Sequence, residues 1–439
     1  MRTFRGGIHP KGNKKQTASK PIVDLAPTEE LVYPLSQHIG APAVPCVKAG
    51  DSVLMGQKIA EANGFISAHI HASVSGKVKA IEKRLHPNGV VMECIVLEND
   101  GLDTPVPELL EPECDYKKLS PKELLAKIQE AGIVGMGGAG FPTHAKLAPP
   151  PEAKIEYVIV NGAECEPYLT SDYRAMLETP EEILTGLSII MQIFSLKVGY
   201  VAIEDNKPDA IATMTKAAKQ FNDVDIRIIP LKTKYPQGAE KQIIRAVTGR
   251  KTKPETLPWQ NGCIVTNIDT AASISRAVVK HKPVLTRIVT LGGDALLHPM
   301  NYRVRLGVPF SSLIAASGGV SSEPEKIIMG GPMMGLAVPN AEVPVVKGTS
   351  GILLFGKERA YLEQEKPCVR CAKCLYVCPM NLQPNLLDRA AREDDFAALK
   401  KLHIVDCMEC GSCAYVCPSK RRQVQQIKVA KVKLRTKAE

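Results

Sequence analysis

Eight of the thirteen cysteines in this 439-residue chain lie in one stretch near the C-terminus, and they spell one pattern twice. Cys368-x2-Cys371-x2-Cys374-x3-Cys378-Pro379 is followed by Cys407-x2-Cys410-x2-Cys413-x3-Cys417-Pro418. Three thiolates at this pitch fit around one corner of a [4Fe-4S] cube, while the fourth turns away toward a neighbouring cube. The expected partition is therefore crossed. Cys368, Cys371, Cys374 and Cys417 would hold one cluster, and Cys378, Cys407, Cys410 and Cys413 the other. Structural zinc pairs two short hooks across a longer gap and has no use for a third cysteine at this spacing. Iron on eight thiolates implies single-electron chemistry in a reducing compartment.

The length allows roughly two to four domains. The first residues lack the apolar core of a signal peptide, and the chain is expected on the cytoplasmic side. The longest apolar runs, such as 187–194, fall far short of the roughly 20 residues that span a bilayer. They read as buried helix, so any membrane role is expected to be peripheral. The net charge of +10 is concentrated at the ends: residues 1–20 carry six Lys/Arg and no acid, and residues 418–439 carry eight against Glu439 alone. The body between is slightly acidic, which argues against nucleic acid as a partner. The ends read as docking arms or solvated charge runs.

Residues 31–102 read as short strands between turns. Ile66, Ala68, Ile70 and Ala72 alternate with Ser67, His69, His71 and Ser73, the period of a half-buried strand. His69 and His71 share a face there and are expected to form a surface pair. From residue 118 helices and strands alternate, as in an α/β layer with a mostly parallel sheet, to residue 283. Ser120-Pro-Lys-Glu123 and Thr179-Pro-Glu-Glu182 are capping boxes with proline at the first helical position. Strands are expected at 157–160, 198–203 and 226–231, with ligands at their C-terminal ends. Residues 284–355 turn β-rich again, with a short helix near 310–316 and a Gly330–Gly335 turn. The cluster unit spans 360–420, where Leu386, Leu387, Ala390, Phe396, Leu399 and Leu402 mark helical faces between the two cysteine motifs. Residues 1–30 and 421–439 are the basic ends. Cys46, Cys94, Cys114 and Cys263 lack ligand spacing and read as buried hydrophobes, and Cys165 as a packed thiol.

The second informative string is Gly135-Met-Gly-Gly-Ala-Gly-Phe-Pro-Thr-His-Ala-Lys146. Glycines at this density let main-chain N–H groups approach an anion, and an ammonium after such a nest suits a phosphate. The string resembles the GxGGAGFP loop of the NADH-binding flavoprotein subunit of respiratory NADH dehydrogenases. Asn161-Gly-Ala-Glu-Cys-Glu-Pro167, Tyr235-Pro-Gln-Gly-Ala-Glu240 and Thr266-Asn-Ile-Asp-Thr270 are similar to further motifs of that subunit, in the same order. The resemblance covers roughly residues 120–290. It implies that Gly135, Gly137, Lys146, Asn161, Glu164, Gly238, Glu240, Asn267 and Thr270 line FMN. It also implies that Gly138, Ala139, Phe141 and Glu166 meet a nicotinamide nucleotide, NAD(H). Met136, Ala163, Cys165 and Ala239 depart from that subunit's arginine, aspartate, serine and glutamate.

Residues 31–102 resemble a biotinyl/lipoyl barrel-sandwich, although the turn Glu61-Ala-Asn-Gly-Phe65 has no lysine to carry a cofactor. With the Phe4–Pro10 opening, a β-grasp (SLBB-like) unit and an α-helical ferredoxin-like end, the whole order is similar to the C subunits of Rnf-type ion-translocating ferredoxin:NAD oxidoreductases. That resemblance implies an α/β multidomain chain with FMN and two [4Fe-4S] clusters, working with the other subunits of a membrane-bound complex and, through them, with ferredoxin. Hydride transfer would be the cofactors' work, with no catalytic side chain. A stand-alone cobalamin-reductase-like enzyme and a non-catalytic wiring subunit are the alternatives.

Overall fold

Short antiparallel strands joined by tight turns build the first unit of the chain, which a computed structural model describes over residues 2–252 and 255–436. One sheet carries, in order, Glu30–Pro34, Val91–Asn99, Gly76–Leu85 and Ser52–Val53; the other carries Val44–Pro45, Lys58–Glu61 and Ile70–His71. Leu31, Tyr33, Val53, Ile59, Ile70, Ile95 and Leu97 fill the space between them. The expected half-buried strand is covered on both faces. Ser67, His71 and Ser73 are buried while Ile66 is exposed. Ser73 Oγ lies 2.7 Å from the Tyr33 hydroxyl and donates to the Leu306 carbonyl at 2.7 Å, and Ser67 Oγ lies 3.0 Å from His38 Nε2. His69 faces Glu130 at 3.9 Å and His71 is buried, so the surface pair does not exist. The strand is wedged against the next two units, a contact that alternation within one segment does not encode.

The second unit is a four-stranded, wholly parallel sheet ordered Asp225–Leu231, Val198–Glu204, Tyr157–Gly162 and Cys263–Asn267. Ser120 and Glu123 make the expected capping box on helix Pro121–Glu130. Thr179 makes none on Pro180–Ile193. It also terminates helix Ser171–Glu178, and its hydroxyl donates back to the Ala175 carbonyl at 3.2 Å. Helix Pro180–Ile193 crosses Ile268–Lys280 at Gly186, where a Cβ would stand 1.8 Å from the Ala271 carbonyl oxygen. Parallel pairing puts Gly162, Glu204, Leu231 and Asn267 at one edge, the edge that collects ligands.

The third unit is a six-stranded mixed sheet ordered Ile22–Asp24, Met300–Arg305, Thr286–Gly293, Gly351–Phe355, Lys326–Met329 and Leu336–Val338, with the short helix Phe310–Ala316. Its edge strand comes from the N-terminal segment, which is no free arm. Phe4 and Ile8 are buried, and Ile8 pairs with Tyr235 as Arg2 does with Leu231. The Lys14 ammonium donates to the carbonyls of Glu164 and Glu166, both at 2.9 Å, and of Leu169. Burial lowers its pKa.

Helices Pro384–Arg392, Phe396–Lys401 and Gln423–Thr436 close the chain around Leu387, Ala390, Leu399, Ile404, Ile427 and Ala430; Leu386 is exposed. The basic tail is largely this last helix. Val424, Ile427 and Ala430 pack inward, Lys431 pairs with Glu409 at 2.9 Å and Lys433 with Asp394 at 2.7 Å. Packing therefore continues past residue 420, and residues 437–439, including Glu439, lie outside the described ones. Cys94 and Cys263 are buried, Cys114 is half-buried, and Cys46, which follows the edge strand Val44–Pro45, is exposed.

One buried amine ties three units together. Lys347, in the β-grasp unit, donates to the carbonyl of His69 in the barrel-sandwich and to that of Gly132, just before the glycine loop, at 2.5 and 2.7 Å. Burial lowers its pKa from 10.5 to about 7. Between those two pH values the unfolded chain holds more of this proton than the folded one, so stability rises with pH across the window. Replacing Lys347 by Met leaves two buried carbonyls unpartnered and is expected to cost about 1–3 kcal/mol. Denaturant titrations at several pH values should also show the variant losing this part of the rise.

Candidate functional site

The glycine loop leaves the core at Val134 and returns at Pro142, which pair as an isolated bridge; the Gly135 N–H donates to the Phe141 carbonyl at 2.9 Å to close it. Gly137, Gly138, Ala139 and Phe141 are exposed at its tip. A Cβ on Gly137 would stand 2.6 Å from Asn267 Nδ2 and displace that side chain. Met136 points the other way. Its side chain is 1% exposed in the core, and its N–H donates to Thr270 Oγ1 at 2.9 Å. A methionine here fills apolar space, where an arginine would need a path outward.

Asn267 and Thr270 anchor the loop from the end of strand Cys263–Asn267. Asn267 Oδ1 accepts from the N–H groups of Asp269 and Thr270 at 2.8 and 3.4 Å, capping helix Ile268–Lys280. Its Nδ2 donates to Asp172 at 2.7 Å. From the next strand, Asn161 Nδ2 donates to the Gly238 carbonyl at 2.7 Å, which brings the Tyr235–Glu240 turn onto the same edge. A Cβ on Gly238 would stand 3.3 Å from Cys165 Sγ and 3.4 Å from Ala163 Cβ. Lys146 and Glu240, ninety-four positions apart, form an ion pair at 2.6 Å.

The remaining two glutamates face inward. The Glu164 carboxylate accepts from the N–H groups of Asp172 and Tyr173 at 2.8 and 3.3 Å, at the start of helix Ser171–Glu178. Glu166 accepts from the N–H groups of Met333 and Met334 at 3.0 and 2.9 Å, holding the Gly330–Gly335 turn. Burial raises its pKa to about 7, against the pull of those two donors. The expected flavin and nucleotide contacts thus divide into loop, turn and helix-end groups at the sheet edge, and two carboxylates that hold the scaffold behind it.

Several groups here escaped the sequence reading. Arg287 pairs with Asp269 and donates to the Met136 carbonyl at 3.2 Å, pinning the loop to the β-grasp unit. Burial, then Glu164 and Asp269, raise the pKa of Asp172. Phe65 stands exposed on the barrel-sandwich turn, its ring edge-on to His144 at 5.6 Å and its carbonyl 2.9 Å from His144 Nε2. A charge or ring this far from its partner in sequence carries no local signal.

One of the two expected cysteine sets shares a cavity. Cys378, Cys407, Cys410 and Cys413 line one small cavity, with Pro379, Met380, Leu382, Pro384, Leu387, Met408, Val424 and Ile427 among its walls. Cys378 has left its own motif to join the three thiols of the other. Cys374 is buried with Cys368 as an electrostatic neighbour, Cys417 is half-buried, and Cys368 and Cys371 are exposed. Among the described residues no three His, Cys, Asp or Glu side chains converge as ligands of a single ion would. A cube takes each thiolate on a different iron, so spread thiols in an apolar cavity suit it.

Four family models match in chain order: the RnfC barrel sandwich hybrid domain over 2–102, the Nuo51 FMN-binding domain over 128–276, the SLBB domain over 288–337 and a 4Fe-4S dicluster domain over 360–432. The chain is 47% identical to the C subunit of the proton-translocating ferredoxin:NAD(+) oxidoreductase complex of Clostridium ljungdahlii, over all of this chain and 95% of that one. It is 46% identical to the C subunit of the Na(+)-translocating complex of Acetobacterium woodii, over 98% and 96%. Among solved structures, an NAD+-reducing [NiFe]-hydrogenase shares the fold at a TM-score of 0.53 and 17% identity, over 75% of this chain and 66% of that one.

Burial raises the pKa of the Cys165 thiol, whose sulfur accepts from the Gly238 N–H at 3.3 Å. Alkylation of the native protein followed by peptide mass spectrometry should therefore modify Cys46 and spare Cys165, Cys94 and Cys263. Early modification of Cys165 would mean an accessible thiolate at the site.

Proposed function

The chain belongs to the family of C subunits of ferredoxin:NAD(+) oxidoreductase complexes, and from that premise we propose that it carries electrons between two [4Fe-4S] clusters, FMN and NAD(H), as a peripheral subunit on the cytoplasmic side of a membrane-bound, ion-translocating complex. Among its described residues no helix is long and apolar enough to cross a membrane. Attachment would run through the other subunits, and electrons from ferredoxin would arrive by way of them.

The observation that carries this reading is the exposed glycine loop at the C-terminal edge of a parallel sheet, in a chain that also builds a four-cysteine apolar cavity. Gly135, Gly137, Asn161, Gly238, Asn267 and Thr270 would cradle FMN. Lys146 would meet its phosphate, and Gly138, Ala139 and Phe141 would face the nucleotide. A bound flavin supplies the conversion between the hydride of a nicotinamide and the single electrons of iron.

The chain's own part is to bind, orient and shield. The loop amides and Lys146 supply donors for an anion. Asn161 holds the Gly238 turn, and Thr270 and Arg287 hold the loop, so that the cradle is formed before ligand arrives. Glu164 and Glu166 act through what they position. Glu240 restrains the Lys146 ammonium when no phosphate is present.

Protein prepared without oxygen should contain iron for two cubes and an acid-releasable flavin, and should pass electrons from NADH to a one-electron acceptor; flavin-free protein, or zinc in place of iron, would contradict the proposal. Lys146→Ala is expected to weaken flavin retention about 10- to 100-fold with iron content unchanged, the worth of one charge-assisted hydrogen bond. Glu240→Gln, which releases the same ammonium, should change retention in the opposite direction.

A further inference from the structure

We propose that the barrel-sandwich completes the nucleotide site: Phe65, on its lysine-free turn, forms with Ile39 an apolar wall that receives the adenine ring of NAD(H), on the side of the glycine loop away from the flavin cradle. The inference rests on the reading of a nicotinamide nucleotide at that loop and adds which residues, from a different unit of the chain, hold the nucleotide's far end.

The loop runs between two neighbours. On one side Gly137 lies against Asn267, at the end of the parallel sheet where the flavin cradle is read. On the other, the Ile39 N–H of the barrel-sandwich donates to the Gly140 carbonyl at 3.1 Å, and a Cβ on Gly140 would stand 3.4 Å from His38 Cα. Just past the loop, His144 Nε2 donates to the Phe65 carbonyl at 2.9 Å, with the two rings edge-on at 5.6 Å. Phe141 therefore sits between two residues, Gly140 and His144, that are each bonded to the barrel-sandwich. A dinucleotide with its nicotinamide at the flavin and its phosphates on the loop amides has this side left for its other base.

That side is apolar and held rigid. Phe65 is 60% exposed, and Ile39, Ile66 and Phe141 are exposed beside it in the chain segments that meet there. The backbone beneath them is fixed. The Asn63 N–H donates to Ser67 Oγ at 2.9 Å, the Ala62 N–H to His69 Nδ1 at 3.0 Å and the Ala41 N–H to the Ile66 carbonyl at 3.1 Å. Gly40, at a φ of 107°, lets residues 39–41 close on that carbonyl, which a Cβ would approach to 1.9 Å. A turn that resembles a cofactor-carrying hairpin is thus bonded down, as a surface and not as an arm. An exposed ring on a fixed backbone can stack on a base and loses little freedom in doing so. Adenine takes no part in the redox step, so such a wall works by holding. A substrate cut short of its adenosine gains nothing from it.

The test uses full-length, oxygen-free protein with flavin and iron in place. It is titrated calorimetrically with ADP-ribose, which keeps the adenine and both phosphates. Oxidation of NADH by a one-electron acceptor is then compared with that of reduced nicotinamide mononucleotide, which lacks the adenosine. Phe65→Ala is expected to weaken ADP-ribose binding and to raise the KM for NADH, each about tenfold, the worth of one base stacked on one ring. The kcat, the flavin content and the iron content should not change, nor should oxidation of the mononucleotide, and Phe65→Trp should restore both altered values. An equal loss with the mononucleotide would make Phe65 a support of the loop, and unaltered ADP-ribose binding would leave the exposed ring to a partner subunit; either result overturns the proposal. Wild-type protein that holds flavin yet neither binds ADP-ribose nor bleaches with NADH would instead sink the nucleotide reading beneath it.

Discussion

A tyrosine hydroxyl buried against the carbonyl of a cysteine fixes the relation on which the rest of this molecule depends. The Tyr235–Glu240 turn meets the Asn161 strand end on one side and the four-cysteine cavity on the other. Everything around it keeps the turn in place. The N-terminal segment pairs with it through Ile8 and continues across the flavin unit to become the edge strand of the β-grasp sheet. Fold and site are thus a single packing problem: four units of different architecture converge on one sheet edge.

Convergence has a cost in buried charge. Lys14 gathers three carbonyls from the segment 164–169, and Lys207, fully buried, donates to the Ala163 carbonyl at 2.7 Å and pairs with Glu204 at 3.3 Å. Glu164, Asp172 and Asp269 cluster behind the glycine loop, with Arg287 and Lys14 set against them. Buried pairs of this kind add little net stability over apolar packing, yet removing one partner strands the other, so they hold geometry more than they strengthen the fold. Their positions suit that role. They fix the loops that carry Asn161, Cys165 and the glycine nest, which no hydrophobic contact could hold in one orientation.

What was legible in the sequence follows how local each signal is. The doubled cysteine spacing, the Ser120 capping box, the strands of the parallel sheet and the glycine loop are each written within a dozen residues, and the structure carries them all. The units match the family models in order. The misread elements are those decided by distant partners. Ser67, His71 and Ser73 look solvent-facing by alternation but are covered by neighbouring units. Six basic residues before position 21 look like a free arm, yet Phe4 and Ile8 are buried and Ile8 and Lys14 are bonded to segments more than 140 positions away. The backbone partners of Glu164 and Glu166, at the start of a helix and in the Gly330–Gly335 turn, are likewise distant ones that their motif does not show. Thr179 could not cap one helix while ending another.

Similarity along the full length to subunits of translocating complexes places the chain in a relay that continues into other proteins. The account reduces to one claim: a two-electron donor at the glycine loop is in electronic contact with iron held by the cysteine cavity. The most direct test is a single mixing of oxygen-free protein with NADH, read by flavin absorbance and by EPR of the same samples frozen in time. The account predicts flavin bleaching followed by cluster signals, with the electrons appearing on iron matching those lost from NADH. Flavin that bleaches while the clusters stay oxidised, under conditions where dithionite reduces them, would contradict it.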